Sequence, residues 1–230
     1  MNLKLLSLLL AASTLTAACS DDDNTGPVEG ESRVRVVHAS PDAPGVDVLV
    51  DDAVVLSDVP YLGVSAYLDV PSGGRNLKVN AAGTASTVID ADADLADGSD
   101  YTVIASGPVA AIEPLVLEDD NSAPAAGNVR VRAIHGAPGA PAVDIYVTAP
   151  GADLATETPA LTNVVFGDVA DYLEAPAGTY QVRVTPAGTK TVVIDSGALA
   201  LASGQVRTAI AVDAAGGGPP FDLLLLEDLN

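Results

Sequence analysis

The chain has two histidines, and each stands a short way before an aspartate: His38 before Asp47, and His135 before Asp144. An imidazole near a carboxylate can serve as a general base or, with further ligands, hold a metal. The two stretches read HASPDAPGVDVLV over residues 38–50 and HGAPGAPAVDIYV over residues 135–147, so Pro41 and Pro44 recur as Pro138 and Pro141. Catalysis would need a nucleophile, and neither copy carries a motif such as G-x-S-x-G. Zinc would need three or four ligands, and each copy offers one histidine and no cysteine. By strand alternation His38 shares a face with Val34 and Val36, and His135 shares one with Val129, Val131 and Ala133. The expectation is therefore structural. The imidazole is hydrogen-bonded to turn carbonyls or to the nearby aspartate, and the prolines fix a corner without calling on backbone donors.

Asp90, Asp92 and Asp94 are the best metal candidates. A D-x-D-x-D opening resembles that of a calcium loop, because the hard cation wants several oxygens. Against it, Leu95 stands where such a loop needs glycine and Tyr101 where it needs glutamate, and the second copy reads Asp195-Ser-Gly-Ala-Leu here. A solvated acidic loop is expected, with no metal and no cofactor assigned. Tyr67 and Tyr172 lie opposite Leu68 and Leu173 in their strands. They form either an outward patch for a protein or glycan or part of a core.

These residues must be positioned by strands. Each histidine ends an alternating run, RVRVV or VRVRAI, and each Val-Asp pair opens the next strand. Further pieces recur in order: Tyr67-Leu68, Pro71 and Gly73 as Tyr172-Leu173, Pro176 and Gly178, and LVLED at residues 115–119 as LLLED at residues 224–228. About eight short strands per copy, separated by turn residues, predict a sandwich or barrel. The reading is all-β: two tandem antiparallel β-sandwiches of immunoglobulin-like topology, at residues 33–121 and 128–230, joined by a linker at residues 122–127. Residues 33–38 read as a half-buried strand. The second copy carries eight extra residues between histidine and tyrosine, in the loop at residues 148–162.

The single cysteine, Cys19, excludes an intramolecular disulfide. It follows an apolar run at residues 5–15 and the small residues Ala17 and Ala18. That run is too short for a bilayer and of the right length for a signal peptide. Residues 1–18 thus resemble a lipoprotein leader ending at a lipobox, which implies lipidation of Cys19 and a membrane anchor; Thr16 departs from the aliphatic residue commoner there. Residues 19–32, rich in Asp, Gly, Pro and Ser, read as a disordered acidic tether. The acids after Cys19 resemble surface-export signals, which implies an outer-membrane, outward-facing location.

Acidic residues outnumber basic ones 31 to 10, a net charge of −21. Such a field excludes a nucleic-acid partner, whose phosphates require clustered Lys and Arg. With the H-x-x-P-x-x-P-x-V-D stretch, the Tyr-Leu and Pro-x-Gly pieces and the Leu-Glu-Asp ends on the page, both copies resemble the domain-of-unknown-function 4397 family. The resemblance implies an extracytoplasmic β-sandwich and brings no site residues with it. The expected function is a non-catalytic, lipid-anchored module of the cell envelope, for adhesion or for binding an extracellular protein or glycan. The alternative is a periplasmic binding protein for a small ligand or calcium. A hydrolase comes last, since no nucleophile–base pair is visible.

Overall fold

The computed structural model describes residues 30–228. The first repeat supplies β1 (Glu31–Ala39), β2 (Val46–Val50), β3 (Ala53–Val59), β4 (Leu68–Pro71), β5 (Gly73–Ala81), β6 (Thr87–Leu95), β7 (Asp100–Ser106) and β8 (Glu113–Asp119). The second supplies β9 (Asn128–His135), β10 (Val143–Thr148), β11 (Leu161–Val164), β12 (Leu173–Pro176), β13 (Gly178–Pro186), β14 (Ile194–Asp195), β15 (Leu199–Leu201), β16 (Val206–Val212) and β17 (Asp222–Glu227). Among the described residues one 3-10 turn, Val109–Ala111, is the sole helical element. Valine-rich alternation explains this, because β-branched side chains fit a pleated, half-buried surface.

Each sheet is drawn from one repeat. Repeat one forms an inner sheet, β4-β1-β7-β8, and an outer sheet, β3-β2-β5-β6. Repeat two forms an inner sheet, β12-β9-β16-β17, and an outer sheet, β11-β10-β13-β14, with β15 also paired to β13. Within repeat one, Val34, Val36 and Val103 of the inner sheet pack on Val46, Val48, Leu77 and Ile89 of the outer sheet. The other face of the same inner strands is also apolar. Val37, Ala39, Ile104, Leu115 and Leu117 pack against Ile134, Ile210, Val212, Leu224 and Leu226 of repeat two. Four sheets therefore stack in the order outer, inner, inner, outer. The strand expected to be half-buried is covered on both faces, because a second sandwich replaces solvent on its far side.

The sandwich class stands, but its wiring departs from the immunoglobulin order. Immunoglobulin domains set the first two strands side by side in one sheet. Here the histidine–proline corner carries the chain across from β1 to β2, so these strands fall in different sheets. The place beside β1 is taken by β7, in parallel register with Val36 opposite Val103, and β9 and β16 repeat this with Ala133 opposite Ala209. The other strand pairs are antiparallel.

Candidate functional site

The two histidine corners share one geometry. His38 and His135 are buried. His38 Nε2 lies 3.0 Å from the Pro44 carbonyl oxygen, and its Nδ1 accepts from the Ser40 N–H at 3.4 Å. His135 Nε2 lies 3.2 Å from the Pro141 carbonyl oxygen, and its Nδ1 accepts from the Ala137 N–H at 3.4 Å. A carbonyl can only accept, so the proton sits on Nε2 and the ring is neutral. Each ring also meets an aromatic edge: Tyr61 at 6.1 Å from His38 and Phe166 at 6.4 Å from His135. Burial lowers the His38 pKa, partly opposed by its hydrogen bond to Pro44. Both ring nitrogens are engaged by the chain itself, leaving none to take a substrate proton.

The aspartates of the motif act elsewhere. Asp47 accepts from the Asp58 N–H at 2.8 Å and the Gly83 N–H at 2.9 Å. Those backbone donors hold its carboxyl below the usual range. Asp144 accepts in the same way from Asn163 at 2.9 Å and Gly188 at 2.8 Å. The histidine and aspartate of each copy thus pin different loops. Of the two partners expected for the imidazole, turn carbonyl or aspartate, the carbonyl is the one observed. Pro41 is buried, Pro44 and Pro141 are exposed, and Pro138 lies between.

Where the copies differ in the motif, the loops differ. Asp42 accepts from the Val109 N–H at 2.7 Å. Its counterpart Gly139 donates to Asp213 at 2.9 Å. A Cβ at Gly139 would lie 2.8 Å from the Gly218 backbone, so the glycine is required by that close approach.

The largest polar constellation lies between the repeats and was not singled out from sequence. Arg35 Nη2 donates to Asp228 Oδ1 at 2.6 Å, and Arg35 Nη1 to the Glu227 carbonyl at 3.0 Å. Reciprocally, Arg132 Nη2 donates to Asp119 Oδ1 at 2.5 Å, and Arg132 Nη1 to the Glu118 carbonyl at 3.3 Å. Thr102 donates to Asp119 at 2.6 Å and Thr208 to Asp228 at 2.8 Å. Each arginine therefore reaches into the other repeat, and each carboxylate is also held by a threonine of its own. Both arginine side chains are 3% exposed and both carboxylates 0%. Buried charges are tolerated only when paired and fully hydrogen-bonded, which this clamp achieves.

Tyr67 and Tyr172 belong to the clamp. They are half-buried. The Tyr67 hydroxyl donates to Asp119 at 2.7 Å, and the Tyr172 hydroxyl lies 3.4 Å from Asp228. The Arg35 and Arg132 guanidiniums sit 4.8 and 4.7 Å from the Tyr67 and Tyr172 ring centroids, within cation–π range. Burial raises both phenol pKa values, that of Tyr172 to about 12. These placements match the packed alternative for the tyrosines rather than the outward patch.

A signal for the clamp was present in the sequence. Arg35 alternates with Val37 and Ala39, and Asp119 with Leu115 and Leu117. Charges continuing an apolar face, recurring in both copies, mark a second buried surface.

Asp90, Asp92 and Asp94 lie along β6 rather than in a loop, and all three are exposed. Alternate residues of a strand are about 6.7 Å apart, too far for all three carboxylates to meet one cation at about 2.4 Å. Asn76 instead bridges Asp90 at 2.8 Å and Asp92 at 3.1 Å. Among the described residues no cluster of three or more His, Cys, Asp or Glu is arranged to hold a metal. β6 is the free edge of its sheet, where charge deters pairing with another chain. Cys19, the leader and most of the tether lie outside the described residues. Among the described residues no helix is long and apolar enough to cross a membrane.

The two sandwiches differ in their interiors. Between the sheets of repeat one the free space is about 20 Å³. Between those of repeat two it is about 180 Å³, lined by Val129, Ala133, Ile145, Ala175, Val182 and Ala209 among others.

The model of the domain of unknown function DUF4397 matches residues 6–49, 32–146 and 147–230, and the chain belongs to that family. No curated relative matches the chain. Among solved structures, the Bacillus anthracis TIE protein matches at 12% identity and a TM-score of 0.26, over 79% of this chain and 33% of that one. The chain thus spans about a third of that protein. A structure described as alpha-glucan binding by a streptococcal virulence factor matches at 12% identity and a TM-score of 0.26, over 79% of this chain and 92% of that one. A leucine-rich repeat protein from Bacteroides thetaiotaomicron matches at 12% identity and a TM-score of 0.21, over 81% and 26%. At these TM-scores the likenesses carry no argument.

Proposed function

We propose that this protein is a non-catalytic, lipid-anchored module of the cell envelope, in which two β-sandwiches clamped into one unit present their loop ends to an extracellular protein or glycan. The observation that carries the reading is internal satisfaction. The imidazoles and their aspartates, the groups best suited to chemistry, hold the chain's own corners and turns. Loops, acidic edges and scattered apolar side chains remain outward on a chain of net charge −21, a surface suited to solubility and to non-nucleic-acid partners. Anchoring rests on Cys19 behind an apolar run, and an outer-membrane address on the acids that follow it.

Protease shaving of intact cells tests the location. Loss of the full-length protein with cytoplasmic markers intact is the expected result, and complete protection of the protein counts against outward display. Release of a Cys19→Ser variant from the membrane fraction tests the anchor; unchanged membrane association of that variant removes it.

A further inference from the structure

We infer that repeat two contains a binding site for an uncharged hydrocarbon moiety, a ring or a short chain, held between its two sheets. Repeat one is the internal control, because its sheets follow the same order, with β6 where repeat two has β14 and β15, and it has almost no space. The cause is readable residue by residue. Val36, Val70 and Val103 line the closed interior of repeat one. Strand register and motif alignment place Ala133, Ala175 and Ala209 at the corresponding positions, and all three line the open interior of repeat two. Three valine positions carry alanine along one cavity, with Ala133 and Ala209 side by side and Ala175 further along, opposite Val129, and the backbone has not collapsed to fill the gap.

The cavity also has an entrance. In repeat one, β3 runs along β2 to its end, pairing Ala53 with Val50. In repeat two, β11 is four residues long and pairs only as far as Ile145. The neighbouring interior residue is therefore uncovered: Val147 is 48% exposed, whereas its counterpart Val50 is 8% exposed. Leu173 on the facing sheet edge is 55% exposed. Both line the cavity, so it opens to solvent between β11 and β12.

The chemistry of the walls selects the occupant. The lining is aliphatic apart from Asp171 and Tyr180, and the Tyr180 hydroxyl is committed to the Pro176 carbonyl at 2.6 Å. No convergent polar groups exist to orient a sugar or an amino acid. An enclosed apolar cavity of about 150 Å³ takes up benzene-sized guests, and this one, open at one side and about 180 Å³, has room for a guest of that size. Asp171 is exposed and carries the only carboxylate in the lining, in a chain of net charge −21. A carboxylate-headed chain would be repelled there, and a neutral head would not.

The test is titration of the full chain with the neutral fluorophore N-phenyl-1-naphthylamine. Saturable binding is expected, displaced by 1-decanol and much less by decanoate at pH 8. Restoring repeat one's side chains, in Ala133→Val, Ala175→Val and Ala209→Val combined, should weaken binding by about tenfold or more. Should that triple variant melt below the parent through overpacking, Leu173→Asn at the entrance gives the same reading from an exposed position. Asp171→Asn should let decanoate compete. In a Cys19→Ser background, flotation with phosphatidylcholine vesicles, lost when the triple variant is added, would assign the bound hydrocarbon to a bilayer lipid; displacement by decanol without flotation would assign it to a free molecule. No saturable binding by the folded parent, or equal binding by the folded triple variant, overturns the inference. Neither outcome touches the shaving and Cys19 results, so this inference and the envelope reading can fail separately.

Discussion

Repeat one and repeat two are built on the same plan and have kept different things from it. Both retain the corner, with imidazole on carbonyl and aspartate on two backbone donors. Both retain their half of the clamp. They diverge in the sandwich interior, which is filled in one and open in the other, and at the sheet edge, a continuous β6 in one and the short β14 and β15 in the other. What is shared is what joins the repeats and turns the chain. What has drifted is what a single sandwich does with its own inside.

The largest effect should come from breaking the shared part. Arg132→Ala leaves buried Asp119 with only the more distant Arg35 at 3.8 Å, and Arg35→Ala removes the close partner of Asp228. Each should cost about 3–5 kcal/mol in a urea melt. Replacing both members of one pair, as in Arg35→Met with Asp228→Leu, should recover most of that loss, because no charge is then stranded. Equal damage from the single and double variants would mean that the ion pair itself holds the repeats together.

A smaller effect should come from exchanging the divergent interiors. Val103→Ala in repeat one removes two buried carbons and should cost about 2 kcal/mol. The mirror change Ala209→Val enters existing space and should be neutral or stabilising by up to about 1 kcal/mol. Destabilisation by both would show that repeat two is not under-filled at that point.

The smallest effect is that of pH on the His38 corner. Its folded pKa is depressed by burial, so below the unfolded value of about 6.5 the unfolded chain binds a proton that the folded chain refuses. Stability is complete above about pH 6.5 and falls as the pH drops through the lower folded value. Thermal melts between pH 7.5 and 5 should show this decline while the carboxylates remain charged. Titration of the His38 ring protons by NMR should give a midpoint below 6.5; a midpoint at or above it would refute the buried neutral ring.

Much of this architecture was legible because one periodicity and one repeat carried it. Val34, Val36 and His38 share a face by alternation, and the structure packs that face inward. The wiring was not legible, since nothing in the His38–Asp47 stretch states whether the chain turns back beside β1 or crosses to another sheet. The acidic triplet misled for a related reason. Asp, disfavoured in strands, suggested a loop, while the alternating Ala91 and Ala93 held the segment against the core. Arg35 was passed over because a polar residue in an alternating strand is normally solvated. That inference fails when the second face is covered by another domain. The cavity lay in the Val-to-Ala differences between copies, which carry meaning only once the register shows them gathered around one space.

The clamp also bears on how the chain acquires its structure. Arg35 and Asp228 are 193 residues apart in sequence, and the parallel partner of β1 lies 67 positions downstream of it. Contacts this remote make folding slow, even though closing a long loop adds little further entropic cost. Until β17 is in place, repeat one bears an apolar face at Val37, Ile104, Leu115 and Leu117, and Arg35 lacks its closest carboxylate, Asp228. Each half of the protein is thus the surface that covers the other half's second apolar face.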